Sequence, residues 1–132
     1  MLPSQHLILK AVESIRHTQT EQAMALYIAH STIIAHCQIG KNCGANQVLV
    51  DAKLLFETGW QVAAECFILI HSHPSGKVEP SLSDISATEF LSDIGQALEL
   101  PLLDHYIVST STHFSFVEAG LLEPNAPTDS LC

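Results

Sequence analysis

Apolar side chains at Leu7, Ile8, Ala11, Val12 and Ile15 recur at helical spacing, with Ser4, Lys10, Glu13, Ser14 and His17 between them. That period predicts an amphipathic helix over residues 4 to 17. The character then changes to two β-branched and aromatic runs, Ala23 to Ala29 and Thr32 to Ile39, divided by the polar pair His30-Ser31. These predict an antiparallel hairpin with Glu21 at its entrance. Gly40 to Asn46 reads as a loop from its glycine and asparagine content, and it lacks the G-x-x-x-x-G-K-[ST] spacing that cradles phosphate.

Asp51 is a candidate N-cap for a second helix carrying Ala52, Leu55, Phe56, Gly59 and Ala63. Cys66 to Ile70 is an unbroken apolar run, as expected of a central strand buried on both faces, and it stops abruptly at His71-Ser72-His73-Pro74-Ser75-Gly76. From Asp84 a third helix is predicted with Ala87, Phe90, Leu91, Ile94, Ala97 and Leu98 inward. Ser86, Glu89, Asp93, Gln96 and Glu99 point outward, and the helix stops before Pro101. Tyr106 to Ser109 and His113 to Val117 read as a last strand pair. The reading is one α/β domain over residues 1–122, followed by a flexible tail over 123–132.

Size and composition sharpen this picture. A chain of 132 residues with 47% hydrophobic content buries a sufficient core without disulfides or an obligatory metal. The net charge is -9, and the five basic residues Lys10, Arg16, Lys41, Lys53 and Lys77 are scattered, so direct nucleic-acid binding is disfavoured for want of a phosphate-collecting patch. No apolar run has the length of a signal-peptide core or a membrane span, so a cytoplasmic protein without membrane partners is expected. Cys37, Cys43, Cys66 and Cys132 form no C-x-x-C and stand at irregular spacing, which predicts reduced thiols. Eight histidines are the unusual feature, because histidine is the commonest metal ligand.

His71 and His73 stand two apart at a strand end, so both imidazoles project from one face and can converge on a metal. The proposed third ligand is Asp84, after a Pro/Gly/Ser loop that can fold back onto the strand end. Two nitrogens and one carboxylate leave a fourth tetrahedral position open, the composition of a catalytic Zn²⁺ site rather than a closed structural one. Ser81-x-x-Asp84 is also the signature of a helix capping box, which by itself requires no metal. The patterns of a serine-hydrolase elbow, G-x-S-x-G, and of a zinc deaminase, H-x-E with P-C-x-x-C, are absent.

His71-x-His73 followed by Ser81-x-x-Asp84 resembles the JAB/MPN (JAMM) metalloprotease motif H-x-H-x(7)-S-x(2)-D. More narrowly, H-x-H-P-S-G, E-P-S-x-x-D and the downstream Leu102-Leu103-Asp104-His105-Tyr106-Ile107 resemble the JAB domain of RadC-like bacterial proteins, from about Glu21 to Gly120. The resemblance implies a JAB/MPN (cytidine-deaminase-like) fold, a mixed, mostly antiparallel curved sheet flanked by helices. It also implies a zinc-dependent metallopeptidase cutting a peptide or isopeptide bond, with a peptide or protein substrate such as a ubiquitin-like conjugate. Glu21 fits the family's general base by position, with Glu57 and Glu65 the next carboxylates to consider, and Ser81 fits its oxyanion donor. Alternatives from the same resemblance are a non-catalytic scaffold module and a DNA-repair-associated factor. Two departures stand out: Ser72 where relatives have Asn, and Lys53-Leu54 where they commonly have Arg-Glu. The short stretch before Glu21 leaves no room for the helix-hairpin-helix region of full-length relatives, which disfavours the DNA-related reading.

Overall fold

The structure is a computed structural model that describes residues 3–17, 19–42 and 48–124. Its elements, in chain order, are α1 (Pro3–Ile15), β1 (Ala23–Ala29), β2 (Thr32–Gln38), β3 (Gly40–Asn42), β4 (Val48–Val50), α2 (Ala52–Gln61), β5 (Cys66–Ser72), α3 (Leu82–Ala97), β6 (Leu102–Val108) and β7 (His113–Ser115). Five strands form one sheet in the order β2-β1-β5-β6-β7, and β3 pairs with β4 separately. Only β5 and β6 run parallel, joined by α3 as the crossover; the other pairs in the main sheet are antiparallel. The expected architecture, a mixed and mostly antiparallel sheet flanked by helices, is present.

Period-2 alternation divides the core between the two faces of the sheet. Leu26, Ile28, Ile68 and Ile70 point to one face, where Ile8, Val12 and Ile15 of α1 cover them. Ala25, Tyr27, Phe67 and Leu69 point to the other, against Leu55 and Phe56 of α2 and Leu91 of α3. By the same alternation His71 follows Phe67 and Leu69 onto the α2/α3 face. The β1–β2 turn places His30 and Ser31 both at positive φ, 53° and 60°, which suits the right-handed twist of a two-residue hairpin. The Glu65 carboxylate accepts the His30 backbone N–H at 2.6 Å and holds that turn.

Four expectations need correction. Gly40–Asn42 is a strand, because its backbone pairs with Val48–Val50; the remainder of the expected loop lies outside the described residues. Strand β6 begins at Leu102, four positions before Tyr106, since Asp104 and His105 are buried within the strand, the Asp104 carboxylate and His105 Nδ1 hydrogen-bonded inside the fold, instead of marking a break. Helix α3 begins at Leu82 with Ser81 as N-cap, and its buried stripe is Thr88, Leu91, Ser92 and Gly95, leaving Phe90 exposed. Finally, Cys66 is disulfide-bonded, whereas Cys37 is a free thiol as expected; sequence spacing does not determine which thiols meet in space. The expected tail from 125 onward lies outside the described residues. Among the described residues no helix is long and apolar enough to cross a membrane.

At Gly95, α3 lies close to the chain that follows it. A Cβ at Gly95 would sit 2.5 Å from the Leu100 carbonyl oxygen, which itself belongs to backbone. Gly95→Ala gains about 1 kcal/mol of helix propensity but must displace that carbonyl. A net loss of about 1–3 kcal/mol is expected, read as a lower unfolding midpoint in urea; an unchanged or higher midpoint would show that the Leu100 segment yields freely.

Candidate metal centre

The register of β1 against β5 brings the first part of the site together. Ala23 pairs with His71, and just beyond the last paired residues the Ser72 N–H donates to the Gln22 carbonyl at 2.9 Å. The Ser72 hydroxyl accepts the Gln22 N–H, also at 2.9 Å. This double clamp fixes the chain entering β1, and it places a Glu21 carboxylate oxygen 3.3 Å from His71 Nε2. Ser72, the departure from the family's Asn, therefore has a structural task of its own.

His73 lies just past β5, where its N–H donates to the Val108 carbonyl at 2.8 Å. Its Nδ1 is 2.8 Å from the Lys77 carbonyl, and a carbonyl only accepts, so Nδ1 carries the proton and Nε2 is the ligating nitrogen of the neutral ring. The turn that returns Lys77 toward the ring passes through Gly76 at φ 89°, a conformation that L side chains rarely adopt.

Asp84 reaches the same place from the N-terminus of α3. Its carboxylate accepts the Ser81 N–H at 2.9 Å, and its own N–H donates to Ser81 Oγ at 3.0 Å, which is a complete capping box. The two carboxylate oxygens also lie 3.5 Å from His71 Nδ1 and 3.5 Å from His73 Nε2. Capping and facing the histidines are thus compatible. Ser81 Oγ uses a lone pair on Asp84, which leaves its O–H free to donate.

These four titratable side chains expose only 8–14% of their surface, shielded from bulk water yet reachable. Burial lowers the His71 pKa, with Asp84 and Glu21 opposing, so a neutral ring is favoured. His73 is raised, first by its hydrogen bond to Asp84, against the effect of burial. Burial alone would raise Asp84, but hydrogen bonds from His73 and Ser81 outweigh it and hold the carboxyl well below the usual carboxylate range. Asp84 is thus held ionised beside a neutral His71 ring, whereas His73 leans toward its protonated form, so a cation bound at its Nε2 would displace a proton there.

Donor atoms of Glu21, His71 and His73 lie within 4.8 Å of one another and could hold a metal ion. Two imidazoles and carboxylate oxygen suit a borderline transition ion such as zinc. Of the five residues picked from the sequence, Glu21, His71, His73 and Asp84 are brought together here, and Ser81 is joined to them through its capping box with Asp84. Asp84 is not among the three most compact donors, though it approaches both rings. Sequence reasoning missed the Ser72 clamp, the Lys77 carbonyl and Thr88, whose hydroxyl donates to the Asp84 carbonyl at 2.7 Å. No residue pattern announces these three, because each depends on backbone geometry.

The RadC-like JAB domain family model matches residues 3–121. Similar curated proteins include a UPF0758 protein of Flavobacterium johnsoniae, 33% identical over 102 residues, covering 76% of this chain and 44% of the relative. Another, from Latilactobacillus sakei subsp. sakei, is 31% identical over 119 residues, 90% of this chain and 53% of the relative. A third, from Streptococcus suis, is 33% identical over 119 residues, 89% of this chain and 48% of the relative. The chain spans about half the length of these curated relatives, and their names state no activity. With the family model matched over residues 3–121, nearly the whole chain, the chain belongs to the RadC-like JAB domain family.

Proposed function

We propose that the domain is a zinc-dependent metallopeptidase that hydrolyses a peptide or isopeptide bond in a protein or peptide substrate. The observation that carries this reading is the placement of two carboxylates around one histidine pair: Glu21 on His71 Nε2 and Asp84 on His71 Nδ1 and His73 Nε2. His71, His73 and Asp84 are the proposed ligands. A zinc ion held there would polarise a carbonyl and lower the pKa of water to about 7. Glu21 takes the proton of the attacking water and delivers it to the leaving amine, so that the C–N bond breaks without expelling an amide anion. The Ser81 hydroxyl donates to the carbonyl oxygen as it gains negative charge. The Lys77 carbonyl holds the His73 ring in the required tautomer.

The test is metal content of the untagged protein purified without chelators, beside His73→Ala and Asp84→Ala, followed by a screen of peptide and ubiquitin-like isopeptide substrates. One zinc per wild-type chain, lost in both variants, together with zinc-dependent cleavage, is expected. A wild type that takes up no metal after zinc is supplied would overturn the reading in favour of a non-catalytic scaffold module.

A further inference from the structure

Beneath the metal centre lies a buried histidine with no part in the proposed reaction. His105 of β6 is 3% exposed and pairs with Leu69 of β5, which sets it on the face shared with His71. Its ring stacks on Phe116 at 4.4 Å and 10°, and its other neighbour is the His71 ring at 6.1 Å and 25°. A phenylalanine would make the same stack. The imidazole adds one hydrogen bond, Nδ1 to Thr88 Oγ1 at 2.7 Å.

The direction of that bond follows from its neighbours. Thr88 O–H donates to the Asp84 carbonyl at 2.7 Å, so its oxygen is left to accept, and His105 must carry its proton on Nδ1. His105 Nε2 is then a bare lone pair, buried without a hydrogen-bond partner. A polar atom abandoned in this way has a cost, and the compensating gain is the chain His105 Nδ1–H to Thr88 O–H to Asp84 C=O. This chain ties the sheet under His71 to the first turn of α3, the turn that presents Asp84.

We propose that His105, through Thr88, is a positioning residue for the metal centre: it sets Asp84 and His71 at the separation a cation requires. The proposal rests on the metal reading above. His105 touches no substrate and donates nothing to the ion; it acts by fixing the two elements that carry ligands.

The test uses the full chain with Thr88→Val, Thr88→Ser, His105→Phe and the double variant Thr88→Val/His105→Phe. Zinc affinity is measured by competition with a chromophoric chelator, and the metal-free unfolding midpoint is recorded beside it. Thr88→Val and His105→Phe should each weaken zinc binding by about 10- to 100-fold, and Thr88→Ser should restore it. The double variant should bind no more weakly than the weaker single, because both break one chain. His105→Phe should unfold no earlier than wild type in the metal-free state, a separation that a purely structural histidine would not show. Nitrogen-15 spectra should report the Nδ1–H tautomer at His105. Wild-type affinity in Thr88→Val, additive losses in the double variant, or an Nε2–H tautomer would overturn the proposal. If wild type binds no zinc, the metal reading fails by itself, and the positioning is read in the metal-free protein instead. The His71 ring and Asp84 carboxyl resonances should then move in Thr88→Val and stay in Thr88→Ser; resonances unmoved in Thr88→Val would overturn it.

Discussion

Glu21→Gln is expected to keep the metal and lose turnover by about 10²- to 10⁴-fold, the usual contribution of a positioned general base. Gln has the shape of Glu and can keep a polar contact with His71 Nε2, 3.3 Å away, but it cannot take up a proton at neutral pH. The substitution also decides the part this side chain plays. Glu21 belongs to the compact donor group with His71 and His73, so loss of metal in Glu21→Gln would make it a ligand and leave the base unassigned. Asp84→Asn supplies the reciprocal: its loss of metal is expected, because Asn is a weaker ligand and its amide would have to turn N–H₂ toward a ring nitrogen or toward the Ser81 N–H. Metal content and turnover measured on both variants separate the two roles. Retained turnover in Glu21→Gln would refute the assignment outright, and no other carboxylate from the sequence reading stands ready to replace it. Glu57 faces Lys53 on α2, and Glu65 is bound to the hairpin turn at the opposite end of β5.

What the sequence disclosed follows from how local each signal is. The run Cys66 to Ile70 ending in His71 was legible as a strand meeting a site, since burial on both faces writes an unbroken apolar string. Helix α3 was legible as a helix but not in its facing. Its inward stripe mixes Leu91 with Thr88, Ser92 and Gly95: Gly95 lies where the Leu100 backbone passes too near for a side chain, and Thr88 meets the buried His105 ring. A reading that assigns the largest apolar residues to the core therefore turns Phe90 inward and overlooks Thr88. The start of β6 was hidden for a different reason. The β5–β6 register shifts between Phe67 and Ile68, whose partners are Leu102 and Asp104, and the extra residue breaks the alternation that marks a strand. Glu21 was found by likeness to a family pattern, since nothing local distinguishes it; the pairing of Ala23 with His71 supplies the physical cause. The tautomers of His73 and His105 were not legible at all, because the Lys77 carbonyl and Thr88 hydroxyl that set them meet the rings only after folding.

Asp104→Ala is expected to destabilise the fold by about 3 kcal/mol, with a range of about 1–3 kcal/mol for each buried donor left without an acceptor. The carboxylate accepts the His105 N–H at 2.7 Å and the Val117 N–H at 3.1 Å through one oxygen, and the Ser115 hydroxyl at 2.6 Å through the other. Alanine strands the two backbone donors, which cannot rotate away, and removes the side-chain tie from β6 to Ser115 and to the turn after β7, leaving the β6–β7 backbone pairing in place. Against a total stability of about 5–15 kcal/mol, such a loss is large. Asp104→Asn should cost much less. Its Oδ1 can serve both backbone N–H groups, while its N–H₂ donates to Ser115 Oγ once that hydroxyl turns. The comparison asks whether acceptor geometry or charge holds this corner, and pH gives an independent answer. Burial raises the Asp104 pKa above its unfolded value, against the hydrogen bonds from Ser115, Val117 and His105. The folded state therefore binds the proton more tightly, and the stability linked to this group is full below the unfolded pKa of about 4 and is lost as pH rises through the folded one. Asparagine has no such loss, so wild type should fall in stability relative to Asp104→Asn as pH is raised from about 4. Urea unfolding of the pair across that window checks the sign. A wild type that gains on Asp104→Asn with rising pH would mean that the ionised carboxylate is the stabilising form and that its hydrogen bonds outweigh burial.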